Sequence, residues 1–161
     1  MELQTTSPDE TRALAAVIAG HVGAGDLILL CGDLGVGKTA FAQGFGAAIG
    51  VEQPITSPTF TLANRYEGRI VLNHLDVYRL EHMAEVLDLD LPELIDDHAV
   101  TLIEWGDVIA SELSNDYLVV RLAFVDGQPE SRSIDLSPSG TRWLDRGADL
   151  VASTARWAEP C

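Results

Sequence analysis

Apolar and polar positions fall into two rhythms along this chain, and the changes of rhythm mark its elements. Leu3-Gln4-Thr5 reads as a short strand. Ser7-Pro8-Asp9-Glu10 opens a helix, with Ser7 as N-cap, Pro8 in the first turn and Glu10 completing a capping box. Leu14, Val17, Ile18 and His21 fall on one face of it through about Gly23, and Gly25-Asp26 turns the chain. Leu27-Ile28-Leu29-Leu30 is a short apolar run of the kind buried strands show. Helical spacing returns over Ala40 to Ile49, with Gly50 as the C-cap.

After Gly50 the helical rhythm stops. Pro54-Ile55-Thr56-Ser57-Pro58-Thr59-Phe60-Thr61-Leu62 reads as an extended polar loop running into a strand. Asn64 to Arg69 reads as the turn of a hairpin, followed by the apolar run Ile70 to Asp76. Glu81 to about Leu89, and Leu91 to about Asp97 with Pro92 at its start, read as short acidic helices. Their carboxylates Glu85, Asp88, Asp90, Glu93, Asp96 and Asp97 are irregularly spaced, as on a solvated face. Ala99 to Trp105 is a second apolar strand with Glu104 near its end, and Gly106-Asp107 starts a short helix to Leu113. Tyr117 to Phe124 and Ser131 to Leu136 form an antiparallel hairpin turned by Asp126-Gly127. Thr141 to Trp157 reads as one amphipathic helix bearing Trp143, Leu144, Leu150, Val151 and Trp157.

Between the Leu27 strand and the Ala40 helix stands Gly32-Asp33-Leu34-Gly35-Val36-Gly37-Lys38-Thr39. It matches G-x-x-x-x-G-K-[ST] at every specified position, in the strand–loop–helix context the motif requires. The glycines let the backbone curl so that successive N–H groups point inward, and the helix start adds its positive dipole end. The result is a cradle for a di- or triphosphate. In such a loop Lys38, the only lysine of the chain, reaches the β- and γ-phosphates, and the Thr39 hydroxyl takes a place on Mg²⁺. Asp76 ends its strand as a Walker B carboxylate does, holding Mg²⁺ directly or through water. Glu104 emerges at the carboxyl edge of a strand, where metal or attacking water would sit. Thr59 and Ser57 stand where a hydroxyl-bearing segment closes over the γ-phosphate, although an ordinary proline-punctuated loop fits them equally. His74 reads as a satisfied strand residue, with a ligand role beside Asp76 as the alternative, and Trp105 as either a core anchor or a wall of the nucleotide pocket.

Composition narrows the possibilities. A chain of 161 residues that is 47% hydrophobic suits one globular domain with a genuine core, and no repeat, low-complexity tract or linker divides it. No apolar run approaches the ~20 residues of a membrane span, and the N-terminus lacks the pattern of a secretory leader. A cytoplasmic protein is expected. Cys31 reads as a small core residue and Cys161 lies at the chain end, so no disulfide framework is expected. Ten Lys and Arg against 25 Asp and Glu give a net charge of −15. Such a surface repels phosphate backbones, which disfavours direct RNA or DNA binding. It suits solubility, or a basic protein partner.

The glycine loop, Ser57-Pro58-Thr59-Phe60-Thr61-Leu62, His74-Leu75-Asp76-Val77-Tyr78-Arg79-Leu80 and Ile103-Glu104-Trp105 follow one another in an order and spacing that resembles the TsaE (YjeE) family. The resemblance covers about residues 5 to 136, and the final helix carries none of it. Asp90 and the Gly106-Asp107 pair depart from the family's usual pattern. The resemblance implies one P-loop ATPase domain over residues 1–161. Its fold class would be α/β: a P-loop NTPase-like, mostly parallel sheet flanked by helices, with antiparallel hairpin additions. It further implies a small Mg²⁺-dependent ATPase whose slow hydrolysis matters beside the proteins of a tRNA threonylcarbamoyl-transferase complex. By matched position Gly32 to Thr39 hold phosphate, Thr39 with Glu104 or Asp76 holds the metal, Thr59 belongs to a switch-like loop, and Trp105 to the site wall. Glu104 is preferred over Asp76 on this resemblance more than on the residues themselves. Adenine is implied between Asp9 to Thr11 and the strand carrying Arg132, whose planar guanidinium would stack on the ring or pair with phosphate.

Two other classes share the loop: a small-molecule kinase, which needs an acceptor pocket and rapid turnover alone, and a nucleotide-dependent protein-binding switch. The sequence has no N-K-x-D tetrad that would read guanine.

Overall fold

The apolar run Leu27–Cys31 is buried at every position because it lies inside a seven-stranded sheet covered on both faces. A computed structural model of the chain describes residues 1–59, 61–78, 95, 97–113 and 115–158. Its strands are β1 (Glu2–Thr5), β2 (Leu27–Cys31), β3 (Ala63–Tyr66), β4 (Val71–Asp76), β5 (Ala99–Glu104), β6 (Tyr117–Val125) and β7 (Gln128–Ser139). The helices are α1 (Pro8–Ala19), α2 (Lys38–Ala48), α3 (Thr141–Asp145) and α4 (Gly147–Thr154). The strand order is β1-β7-β6-β2-β5-β4-β3. Strands β6, β2, β5 and β4 run parallel, and β1, β7 and β3 add antiparallel at the edges. This is the α/β sheet with a parallel core and antiparallel additions that the sequence predicts.

Alternation along β2 feeds two cores. Ile28 and Leu30 pack toward α1 and α2, joining Leu14, Ile18, Phe41 and Phe45. Leu27, Leu29 and Cys31 point the other way, toward Leu75, Ile103 and Ile109. Removing a Phe41 or Phe45 side chain from water contributes roughly 1.5–3 kcal/mol. Burial raises the Cys31 thiol to about 11, with the charge of Asp107 acting in the same direction. Cys31 is therefore the inert core residue its position suggested.

The helix ends follow from local chemistry. The Ser7 hydroxyl accepts from the Glu10 N–H at 3.2 Å, and Glu10 accepts from the Thr6 N–H at 2.7 Å. The reciprocal bond of the capping box is thus made one residue earlier than the motif places it. Helix α1 stops at Ala19 rather than near Gly23, since the Asp26 carboxylate accepts from the Gly23 N–H at 2.7 Å and folds the chain into a turn. Helix α2 ends in a Schellman arrangement: Gly50 has φ +88°, Val51 N–H donates to Gly46 O, and Gly50 N–H donates to Ala47 O.

Three expectations are corrected. Asn64 to Tyr66 are strand β3, paired with β4, and the turn falls after Tyr66. The helix expected from Gly106 is two 3₁₀ turns, Gly106–Val108 and Ala110–Glu112. The single helix expected over Thr141 to Trp157 is broken at Arg146, whose guanidinium turns inward to the buried Asp26 at 2.5 Å and to the His21 carbonyl at 3.1 Å. The break leaves Leu144 and Val151 61% and 51% exposed, while Trp143, Leu150 and Trp157 stay in the core. The two acidic helices expected over 81–97 lie almost wholly outside the described residues. Among the described residues no helix is long and apolar enough to cross a membrane.

Helices α1 and α2 touch backbone to backbone, because a Cβ on Gly44 would run into the main chain of Arg12. Gly44→Ala should therefore destabilise the protein by about 1–3 kcal/mol, as overpacking does, despite alanine's advantage of about 1 kcal/mol in a helix. A lower midpoint in urea unfolding, with an unchanged slope, is the expected measurement.

Candidate functional site

The carboxyl ends of β2, β5 and β4 lie side by side: Leu30 is level with Glu104, and Glu104 with Asp76. The loop leaving β2 curls over them with φ of +137° at Gly32, +76° at Gly35 and +114° at Gly37. A Cβ on Gly32 would run into the Leu122 carbonyl, whereas nothing lies within 4 Å of one on Gly35. The first glycine thus lets the loop press on β6, and the second leaves the cradle's surface open. Gly37 begins α2 with no side-chain capping bond, so the first N–H groups of the helix keep their capacity for an anion.

A cleft of about 400 Å³ brings together Leu34, Gly35, Gly37, Lys38, Thr39, Thr59, Asp76, Glu104 and Trp105, with Ser57 and Tyr78 beside them. Lys38 is only 5% exposed; its ammonium donates to Gly32 O at 2.8 Å and Asp33 O at 2.9 Å. Burial lowers its pKa, and the carboxylates of Glu104, Asp76 and Asp33 act against that shift. The ammonium also lies 4.2 Å from the centre of the Trp105 ring, a cation–π contact. Trp105 is a cleft wall, with its backbone at φ +60°. Its N–H donates to Leu30 O at 2.8 Å, and Gly106 behind it is pressed on Leu29. The Tyr78 ring lies tilted against it, with the ring centres 4.7 Å apart and the planes at 39°.

The two carboxylates are held differently. Asp76 has both oxygens engaged, Oδ2 by the Thr59 hydroxyl at 2.9 Å and Oδ1 by the Tyr78 N–H at 2.8 Å. Ser57 Oγ lies 2.7 Å from Thr59 Oγ1; since Thr59 gives its proton to Asp76, Ser57 donates to Thr59. The loop is thereby tied to the strand end. Glu104 Oε1 meets His74 Nε2 at 2.9 Å, with both side chains buried.

Thr11 and Arg132 lie apart from these groups. They line a second cavity of about 140 Å³ on the other side of the loop, with Pro8, Gly35, Val36 and Gly37. Arg132 donates to Val36 O at 2.6 Å, and its guanidinium lies 4.7 Å from the centre of the Phe124 ring. Thr11 is buried, with its hydroxyl 2.9 Å from that of Thr5. Val36 is also buried and turns its carbonyl to Arg132, while Asp33 is exposed and turns its carbonyl to Lys38. In the sequence Tyr78 stands in the family motif without a site role, and His74 reads as a strand residue or, alternatively, a ligand, not as the partner of Glu104. The signal for His74 is spacing, since two residues before Asp76 on a strand is the same face; Tyr78 lies past the end of β4 and is placed by the turn its N–H makes with Asp76.

Strand, glycine loop and helix at the carboxyl edge of a parallel core, beside two carboxylate-tipped strands, define a P-loop NTPase-like fold. Bacillus subtilis YdiB has this architecture: its crystal structure superposes with a TM-score of 0.78 at 31% identity, covering 94% of each chain. The chain belongs to the TsaE family, since the family model for threonylcarbamoyl adenosine biosynthesis protein TsaE matches residues 5–134. Three relatives are each named tRNA threonylcarbamoyladenosine biosynthesis protein TsaE. The Bacillus subtilis protein is 35% identical over 89% of both chains. The Nostoc protein is 42% identical over 81% of both. The Streptomyces coelicolor protein is 36% identical over 88% of this chain and 99% of its own.

Lys38 is a buried cation whose folded pKa lies below its unfolded one, so its charge opposes folding at neutral pH. That opposition is relieved as pH rises through the lowered folded value, where the folded protein loses the proton first. Lys38→Met should therefore raise the melting temperature at pH 7 by a few degrees, on the scale of a modest gain for a chain this long. The gain should shrink as pH is raised into the alkaline range. Scanning calorimetry of both proteins across pH 7 to 10 measures it.

Proposed function

We propose that the chain binds ATP with Mg²⁺ in the cleft and acts as a slow, partner-dependent ATPase in the making of threonylcarbamoyladenosine in tRNA. One observation carries this reading: the glycine loop, Lys38, Thr39, Asp76 and Glu104 meet in one cleft, in a chain whose relatives are named for that modification. The donor set suits the ligands. Loop N–H groups and the start of α2 suit phosphate, and the Thr39 hydroxyl with two carboxylates gives the hard oxygens that Mg²⁺ takes. The ion supplies neutralisation of phosphate charge that Asp76 and Glu104 would otherwise repel.

Lys38 exchanges two neutral backbone carbonyls for charged phosphate oxygens, and bonds to a charged acceptor are the stronger ones. Glu104 stands on the strand next to β2, nearer the cradle than Asp76 in strand order, and orients water or metal from there. Adenine takes the second cavity, between Thr11 and the Arg132 guanidinium. The net charge of −15 leaves tRNA to the proteins of the threonylcarbamoyl-transferring complex, with the work done in the cytoplasm.

The bond from Thr59 to Asp76 supports a second role, as a switch. A loop tied to a carboxylate beside the phosphate site changes its tie when nucleotide arrives, and ordering of such a loop is a known two-state response.

Isothermal titration with ADP and ATP tests the first reading. Lys38→Met should bind at least ten-fold more weakly and lose turnover while staying folded; wild-type affinity and turnover would overturn it. Partner affinity with an ATP analogue, with ADP and without nucleotide tests the second. Several-fold coupling is expected, on the order of 1 kcal/mol, and Thr59→Ala should reduce it while leaving ADP binding nearly intact. Equal partner affinity in all three states would remove the switch, and tight tRNA binding by the isolated chain would remove the charge argument.

A further inference from the structure

We infer that His74 is a positioning residue: it holds one oxygen of Glu104 in place, so that Glu104 acts in the cleft through its other oxygen alone. The inference rests on the ATP–Mg²⁺ reading above and assigns a part to a residue outside the cleft lining.

His74 and Asp76 share a face of β4, and His74 is level with Leu102 of the neighbouring β5. Its ring thus sits beneath the strand ends, two positions below Glu104, and is fully buried. Nε2 lies 2.9 Å from Glu104 Oε1. An ionised carboxylate only accepts, so Nε2 carries the hydrogen of this bond. The other ring nitrogen, Nδ1, is buried without a partner. An apolar residue would fill the same space with no orphaned atom, so the cost of a histidine here points to what its other nitrogen does.

What that nitrogen does is distinguish the two carboxylates. Both oxygens of Asp76 are taken by the Thr59 hydroxyl and the Tyr78 N–H. In Glu104 Oε1 alone is bonded among the described residues, and the side chain lines the cleft. A glutamate otherwise free to turn about its last torsion is fixed by the ring, which leaves Oε2 as the oxygen available to a cation or a water. Hydrogen-bonded support of this kind is what tunes carboxylates that work on metal.

The test measures Mn²⁺ affinity by electron paramagnetic resonance on the full chain with ADP, beside ADP affinity in EDTA. Gln at 74 places an amide nitrogen near the position of Nε2, Asn places one near Nδ1 and falls short of Glu104, and Leu removes the donor. His74→Gln should keep Mn²⁺ affinity within about threefold. His74→Asn and His74→Leu should lose roughly ten- to hundredfold, while ADP affinity in EDTA stays within about twofold. Should His74→Leu fail to fold, the contrast of Gln with Asn decides. Equal Mn²⁺ affinities in folded Gln and Asn variants, or wild-type affinity in the Asn variant, would overturn this inference alone. A wild-type chain that takes up neither ADP nor Mn²⁺ would overturn the ATP reading and this inference with it.

Discussion

Burial of β2 on both faces is the constraint on which the rest of this molecule depends. A strand with apolar side chains on either side must be covered by two layers, and here the cover is α1 and α2 on one face and the turns after β5 on the other. Its hydrogen bonds are taken by β5 and β6 along their length. The chain can therefore leave only at the carboxyl end, and it leaves through Gly32, where a side chain would strike the Leu122 carbonyl. The cradle is thus a consequence of how tightly the centre of the sheet is packed.

Around that exit the protein buries charge. Lys38, Asp76 and Glu104 are each 5% exposed or less, a state that costs free energy unless every group has partners. Each has them: carbonyls and an indole for Lys38, a hydroxyl and an amide for Asp76, an imidazole for Glu104. Such an arrangement holds the three charged groups in fixed positions within the cleft.

A third buried carboxylate works differently. Asp26 accepts from Arg146 and from the Gly23 N–H, with Arg142 3.6 Å from its other oxygen. It fastens the C-terminal helices, which lie beyond the family match, to the turn that delivers the chain into β2. Lys38, Asp76 and Glu104 line the cleft, whereas the charge of Asp26 is matched by Arg146 and Arg142 inside the fold.

The sequence by itself determined the elements whose causes are local. Six of the seven strands, the Ser7 cap, the Gly50 terminus and the glycine loop were legible because each follows from neighbouring residues, as backbone geometry and periodicity do. The same holds for the roster of the cleft, since loop, Asp76 and Glu104 each carry a signal of their own. Only the tertiary structure decided what depends on distant residues. It placed Glu104 next to the loop strand and Asp76 one strand further out. It set Trp105 as a wall over Lys38 and broke the last helix at Arg146 to reach Asp26. It also joined His74 to Glu104, 30 residues apart. Strand order and side-chain pairing arise from long-range packing, which periodicity within a single element does not record.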